Sequence, residues 1–496
     1  MIITIMIGYS YHSLNGRTTG FGRRASDLVK KNIGCVLAAS TENSANNAWN
    51  VNFNNGNVNN NNKYNNNYVR AVAASGDDRI AGWIEAFEDC CKKKKSSSQC
   101  TFYRSIHEDD LLHLMQEVDE RRYEPSTSVC FIVTRPKIRE VFAANFRDRI
   151  VQHWVCLRLN PLFEERFISQ GNVSFNCREG FGTLMAVDTL EKKIEKVTQG
   201  YTREAWIGKF DLRSFFMTID KAIMTKLITE LIETKYQGDD KDTLLYLCDI
   251  IINHCPQDNC IRKGNVKLWD YLPPHKSLFC IDRSKGMPIG NLTSQLFANY
   301  YMSFFDEWIL ALLAECGGEY IRFVDDFVIV VPTTLEFNGK KAITRIHKMA
   351  CDWLEENLKL SLHCDKVYIQ EARKGVNFVG TFLKPGRRFT SNRSVSSFVN
   401  KLKLFENFCF DLVCEKSEYG ELSVKHTKLL EHDVDSLNSY LGTLVHTNSY
   451  AIRAREFLSN KLQFFWKLCY IEGHLQIVKL KKTYRLRTRL FQIQAA

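Results

Sequence analysis

The sequence predicts an α+β fold, with a small antiparallel sheet set among amphipathic helices. Three observations predict it. Tyr320-Ile321-Arg322-Phe323-Val324-Asp325-Asp326-Phe327, continuing to Val331, reads as two strands joined by a turn that carries two acids. Ile207-Gly208-Lys209-Phe210-Asp211 is a second strand-like run ending in one acid, followed by Phe215 and Phe216. The stretches 222–235, 243–254, 296–312 and 341–358 repeat apolar residues at helical spacing.

The acids carry the chemistry. A carboxylate beside a core needs a cation or a donor, because an isolated buried charge is costly. A hairpin tip with two carboxylates suits a hard divalent ion, particularly Mg²⁺, which takes a few carboxylates and completes its shell with substrate phosphates. A two-metal phosphoryl-transfer site needs acids from separate strands. Asp211 on one strand and Asp325 with Asp326 on a hairpin form a minimal version. Taken alone, the pair reads equally well as a surface turn.

In chain order, 15 of the 25 residues between Asn43 and Asn67 are asparagine. This composition predicts a disordered segment over 1–77. From Asp78 the composition becomes globular. A helix is expected over 79–87, running into four lysines at 92–95, then a helix near 110–121 and a strand over 129–134. Arg147, Asp148 and Arg149 read either as an ion-pair network or as template contacts. Gly180 and Gly182 flank Phe181 and permit a tight hairpin close to phosphate. A loop-like stretch with Trp269, Pro273 and Pro274 leads to Gly286-Met287-Pro288-Ile289-Gly290-Asn291-Leu292-Thr293-Ser294-Gln295. Beyond Pro385 the expectation is helical and basic: 397–414, 426–444, 451–470 and 475–490.

The net charge of +11 favours a polyanionic partner. The 17 scattered cysteines read as reduced thiols, and Cys255 with Cys260 lacks a partner pair at zinc spacing. No apolar run is long enough for a membrane span, and the N-terminus lacks a basic leader, so a cytoplasmic location is expected.

Taken in order, these motifs resemble reverse transcriptases, over roughly 80–490. Asp211 stands where that family's first palm motif places its metal ligand, and Phe323-Val324-Asp325-Asp326 resembles its aromatic-x-Asp-Asp box. The resemblance implies a right-hand polymerase: fingers 78–205, palm 206–384 with an insert over 221–285, and a basic helical thumb 385–496. It implies an RNA template, a cDNA primer strand, deoxynucleotides, and two Mg²⁺ ions (or Mn²⁺) on Asp211, Asp325, Asp326 and the Leu212 carbonyl. Lys366 is implied as the acid that protonates pyrophosphate, assistance worth roughly 10²–10⁴-fold, with a solvated lysine as the alternative. Arg178 is implied as a triphosphate ligand, although Phe181 departs from the basic residue expected between the glycines. Phe216 matches the gate against a 2′-hydroxyl, with core packing as the alternative. Phe378 and Gly380 resemble the primer grip, and Lys401 and Lys403 belong to the thumb surface that holds a hybrid duplex by shape.

Ile289-Gly290 followed by Ser294-Gln295 resembles the class found in diversity-generating retroelements, whereas most reverse transcriptases carry Gln where this chain has Ile289. Loss of an amide near the nascent pair lowers base discrimination; simple packing is the other reading. Asparagine codons begin with two adenines, and Asn47-Ala48-Trp49-Asn50-Val51-Asn52 resembles a translated adenine-rich template repeat, over about 16–75. The resemblance also implies a small basic helical accessory protein as partner. A retron-type or phage-defence enzyme, or an RNA-binding protein retaining the fold, are the alternatives.

Overall fold

The computed structural model describes residues 36–42, 47–52, 57–62, 78–92, 97–135, 137–334, 338–419 and 424–481. Three strands, β1 (Val36–Glu42), β2 (Asn47–Asn52) and β3 (Asn57–Asn62), pair antiparallel inside the asparagine-rich segment. A disordered segment was expected there. The register sets Asn47 opposite Asn62, Asn50 opposite Asn59 and Val51 opposite Val58. The rest of 1–77 lies outside the described residues.

Helices α1 (Asp78–Cys91) and α2 (Ser98–Asp119) precede strands β4 (Ser128–Val133) and β5 (Arg139–Ala143), then α3 (Phe146–Ser169) and α4 (Thr183–Thr198). β4 pairs antiparallel with β5 and parallel with β7 (Cys260–Arg262). The Arg147 cluster is an ion-pair network: Arg147 bonds Asp110 and Glu117, and Asp148 accepts from Tyr123 and Ser126.

The central sheet has the order β10-β6-β9-β8, all antiparallel: β6 (Ala205–Asp211), β8 (Glu319–Phe323), β9 (Asp326–Pro332) and β10 (Tyr368–Glu371). Between β6 and β8 run α5 (Lys221–Lys235), α6 (Lys241–Asn253) and α7 (Leu292–Ala314); α8 (Gly339–Leu358) follows β9. Side chains alternate across the sheet, as strand geometry requires. Phe327, Ile329 and Val331 enter the larger core beneath α7 and α8. Val328 and Val330 enter a second core with Leu190 and Ile194 of α4. At Gly208 a β-carbon would lie 2.7 Å from Ile343 Cγ2, so the missing side chain lets α8 approach the sheet.

A small sheet, β11 (Val376–Phe378), β12 (Thr381–Lys384) and β13 (Arg387–Thr390), leads to α9 (Asn392–Tyr419), α10 (Val424–Val445) and α11 (Tyr450–Phe457). These helices have their own core, built on Phe398, Phe405, Leu437, Phe457 and Phe465. The arrangement is α+β with antiparallel pairing in the central sheet, the fold class that the sequence predicts.

The C-terminal end corrects the sequence reading. The helix expected over 451–470 stops at Phe457, and β14 (Cys469–Glu472) and β15 (Ile477–Leu480) form a hairpin instead. Gly473, His474 and Leu475 all take positive φ, which turns the chain, and β-branched Ile471, Ile477 and Val478 favour strand. Asn438 of α10 then pairs with both backbone groups of Val478. Residues 482–490 of the last expected helix lie outside the described residues.

Candidate active site

The register of β6 and β9 sets Asp211 directly opposite Asp326, so both carboxylates leave the same face at the same end of the sheet. Asp325 sits beside them in the two-residue turn of the β8–β9 hairpin, where Phe323 pairs with Asp326. The preceding Val324 has φ +59°, which costs a β-branched residue of order 1–3 kcal/mol. Backbone bonds lock the corner: Leu212 N–H donates to the Asp325 carbonyl (3.2 Å) and His363 N–H to the Asp211 carbonyl (2.8 Å).

The electrostatics is that of an under-neutralised acid cluster. Burial, and then the charge of Asp211, push the Asp325 carboxyl up to about 6. Burial also raises Asp326, against the opposing pull of Lys209, whose ammonium lies 3.1 Å away. Asp211 is paired with Lys366. Lysines thus occupy the surroundings a cation would neutralise. Among the described residues no three His, Cys, Asp or Glu side chains close around an ion. Carboxylate oxygens are nonetheless the donor type that a hard divalent cation takes.

Two cations that the sequence reading left without a role face this cluster. The charges of Arg139 and Lys137, both exposed at the start of β5, lower the pKa of Asp325 and Asp326 respectively. The run Arg135-Pro136-Lys137-Ile138-Arg139, inside the stretch 78–205 expected as fingers, is the signal that could have found them.

Ile289, Gly290 and Phe216 come together around Phe142 of β5. The Ile289 carbonyl accepts from Phe142 N–H of β5 (2.8 Å), and Ile289 and Phe216 pack in one cluster with Cys130, Phe142, Met217 and Leu278. Gly290 has φ +124°, and a β-carbon there would lie 2.5 Å from the Phe142 carbonyl oxygen. Phe215 is core, and Phe216 meets it edge-on at 5.3 Å while staying half-buried. Gln295 is exposed on the first turn of α7 and accepts from the Cys177 thiol (3.4 Å).

Other expected site residues are placed elsewhere. The Arg178 guanidinium is fully buried, bound to Glu164, Asn172 and the Ser174 carbonyl and stacked on Phe181, so its donors are already used and it does not face a triphosphate. Phe378 is wholly buried in the second core, so its ring is not available to a primer. Gly380 has φ +87° in the β11–β12 turn and is half-buried, with open space where a β-carbon would stand. Lys401 is tied to Asp433 at 2.7 Å, whereas Lys403 is exposed. Among the described residues no helix is long and apolar enough to cross a membrane.

No family model matches the chain. Protein YkfC of Escherichia coli (strain K12) is 24% identical over 321 residues, covering 58% of this chain and 75% of YkfC. Among solved structures, the chain is similar to apo telomerase from Candida tropicalis truncated from its C-terminal domain, with 13% identity, TM-score 0.38, and 54% and 56% of the two chains covered. It is also similar to Candida albicans telomerase in complex with a fragment of telomeric RNA, with 12% identity, TM-score 0.39, and 69% and 65% covered. The chain thus spans less than two thirds of the length of these telomerases. Likenesses this distant leave the function to be argued from the site itself.

Proposed function

We propose that the chain is an RNA-directed DNA polymerase of the diversity-generating class, copying an adenine-rich template RNA with errors at adenine. The observation that carries the polymerase reading is the registered pair Asp211 and Asp326 with Asp325 in the adjoining turn. Two Mg²⁺ ions held by these carboxylates and the Leu212 carbonyl would neutralise charge developing at the α-phosphate of a deoxynucleotide. Lys137 and Arg139 attract the incoming triphosphate, and Phe216 closes the sugar side of the pocket. Lys366, next to Asp211, is the candidate proton donor to pyrophosphate. The mutagenic class rests on Ile289 packed among apolar residues, where it gives the nascent pair no side-chain hydrogen bond. Partners of this reading are the template RNA, the cDNA strand and a basic accessory protein, in the cytoplasm.

Primer extension by the purified protein on adenine-rich RNA, with the cDNA sequenced, tests both levels. Asp325→Ala is expected to lower extension by at least about a hundredfold, as loss of a transition-state charge partner does. Errors concentrated opposite adenine, reduced in Ile289→Gln, support the mutagenic class. Faithful cDNA moves the protein to a retron-type or defence role. RNA binding without synthesis, indifferent to Asp325→Ala, rejects the enzyme.

A further inference from the structure

Beneath the acidic turn lies a polar group that none of the roles above uses. Arg322 and Asp306 are both fully buried, on β8 and α7. The guanidinium makes a two-pronged bond to Asp306, Nε to Oδ1 at 2.7 Å and Nη2 to Oδ2 at 2.6 Å. Tyr320 O–H also donates to Oδ1 at 2.6 Å. The remaining donors point at backbone: Nη1 to the Val324 carbonyl at 3.0 Å and Nη2 to the Asn299 carbonyl at 3.4 Å. Val324 is the residue with φ +59° immediately before Asp325. Arg322 is also held by its own backbone, whose N–H donates to Val173 and whose carbonyl accepts from Phe175.

A buried ion pair stabilises little by itself, since desolvation offsets its attraction, and an apolar replacement of similar volume often folds as well. This one has a specific geometric result. It fastens a strained carbonyl, one residue from a carboxylate, to the helix whose N-terminal end carries Gln295. We propose that Arg322 is a positioning residue: through the Val324 carbonyl it holds the turn in the conformation that aims Asp325 and Asp326 at divalent cation, with Asp306 and Tyr320 orienting its guanidinium. The inference rests on the polymerase reading for its chemistry but not for its geometry.

The test compares wild type, Arg322→Lys and the apolar triple variant Asp306→Leu/Tyr320→Phe/Arg322→Met, which leaves no buried charge behind if the lysine variant fails to fold. Two quantities are read: the Mg²⁺ concentration at half-maximal shift of the melting temperature, without nucleic acid, and kcat and KM for single-nucleotide extension. The expectation is a Mg²⁺ midpoint raised about tenfold, in the range seen when groups that orient metal ligands are removed, with kcat lowered and nucleotide KM little changed. Folded variants that keep the wild-type Mg²⁺ midpoint and kcat overturn the proposal and leave the group a plain core ion pair. A wild type whose Mg²⁺ shift survives Asp325→Ala overturns it as well. If wild type binds Mg²⁺ through Asp325 but makes no cDNA, the polymerase reading fails while the Mg²⁺ midpoints still decide the role of Arg322.

Discussion

Asp325 is a carboxylate held where ionisation is disfavoured, by burial first and by Asp211 second. Its folded pKa of about 6 lies above the ordinary 3.8. Between those values the native chain keeps a proton that the unfolded chain has lost, so stability falls as pH rises through the window and levels off above it. In EDTA, Asp325→Asn is therefore expected to melt above wild type near neutral pH and to match it below about pH 4. Thermal melts across that range check it, and a variant that never exceeds wild type contradicts it. At this scale the three acids were legible because each ends a short apolar run. Arg178 and Phe378 were not, because what buries them comes from elsewhere in the chain: Glu164 on α3 for the arginine, and the residues of α4 and β9 for the ring.

β5 serves three neighbours at once. Arg139 faces the acids, Phe142 N–H holds the Ile289 carbonyl, and buried Glu140 accepts from Trp269 Nε1 (2.8 Å), Ser277 Oγ (2.9 Å) and Leu278 N–H (2.8 Å). Glu140→Ala strands three donors, each costing about 1–3 kcal/mol if it stays dry. The expected outcome is a lower melting temperature and new protease cleavage between 263 and 280, only partly repaired in Glu140→Gln, whose single amide oxygen cannot accept at both positions. Gly290→Ala adds a β-carbon against the Phe142 carbonyl at a φ that alanine resists, a penalty of order 1–3 kcal/mol. Nucleotide KM should rise, and an unchanged KM would show that this loop does not shape the pocket. Periodicity located α5 to α10 to within about five residues, but it covered only the second half of α2 and placed neither α3 nor α4. It misread the β14–β15 hairpin because short apolar runs fit either period, and only the positive φ of Gly473, His474 and Leu475 decides between them.

Across the whole molecule, the C-terminal helices hold together by their own core and are joined to α4 through β13. There Arg388 Nε reaches Glu191 at 3.0 Å and Nη1 reaches Asp188 at 2.5 Å, both on α4, while the Arg388 backbone exchanges two bonds with Asn448. Arg388→Ala should loosen this joint without touching the acids: fewer nucleotides added per binding event, with single-nucleotide incorporation unchanged, read by extension under a trap. Equal product lengths would show that the joint is not what holds the helices near the duplex. This joint links residues about two hundred positions apart, and a single sequence carries no mark of such a pair.

The cross-strand pairing of Asp211 with Asp326 has a consequence for how such a chain can change over time. Spacing set by a ladder moves in whole steps, and losing one residue within β6 would turn Asp211 to the opposite face. A lineage carrying this sheet therefore cannot drift by degrees toward a different separation of its acids. It keeps the centre or loses it at once, and gradual innovation is confined to the segments that frame the sheet, such as the long excursion between α6 and α7.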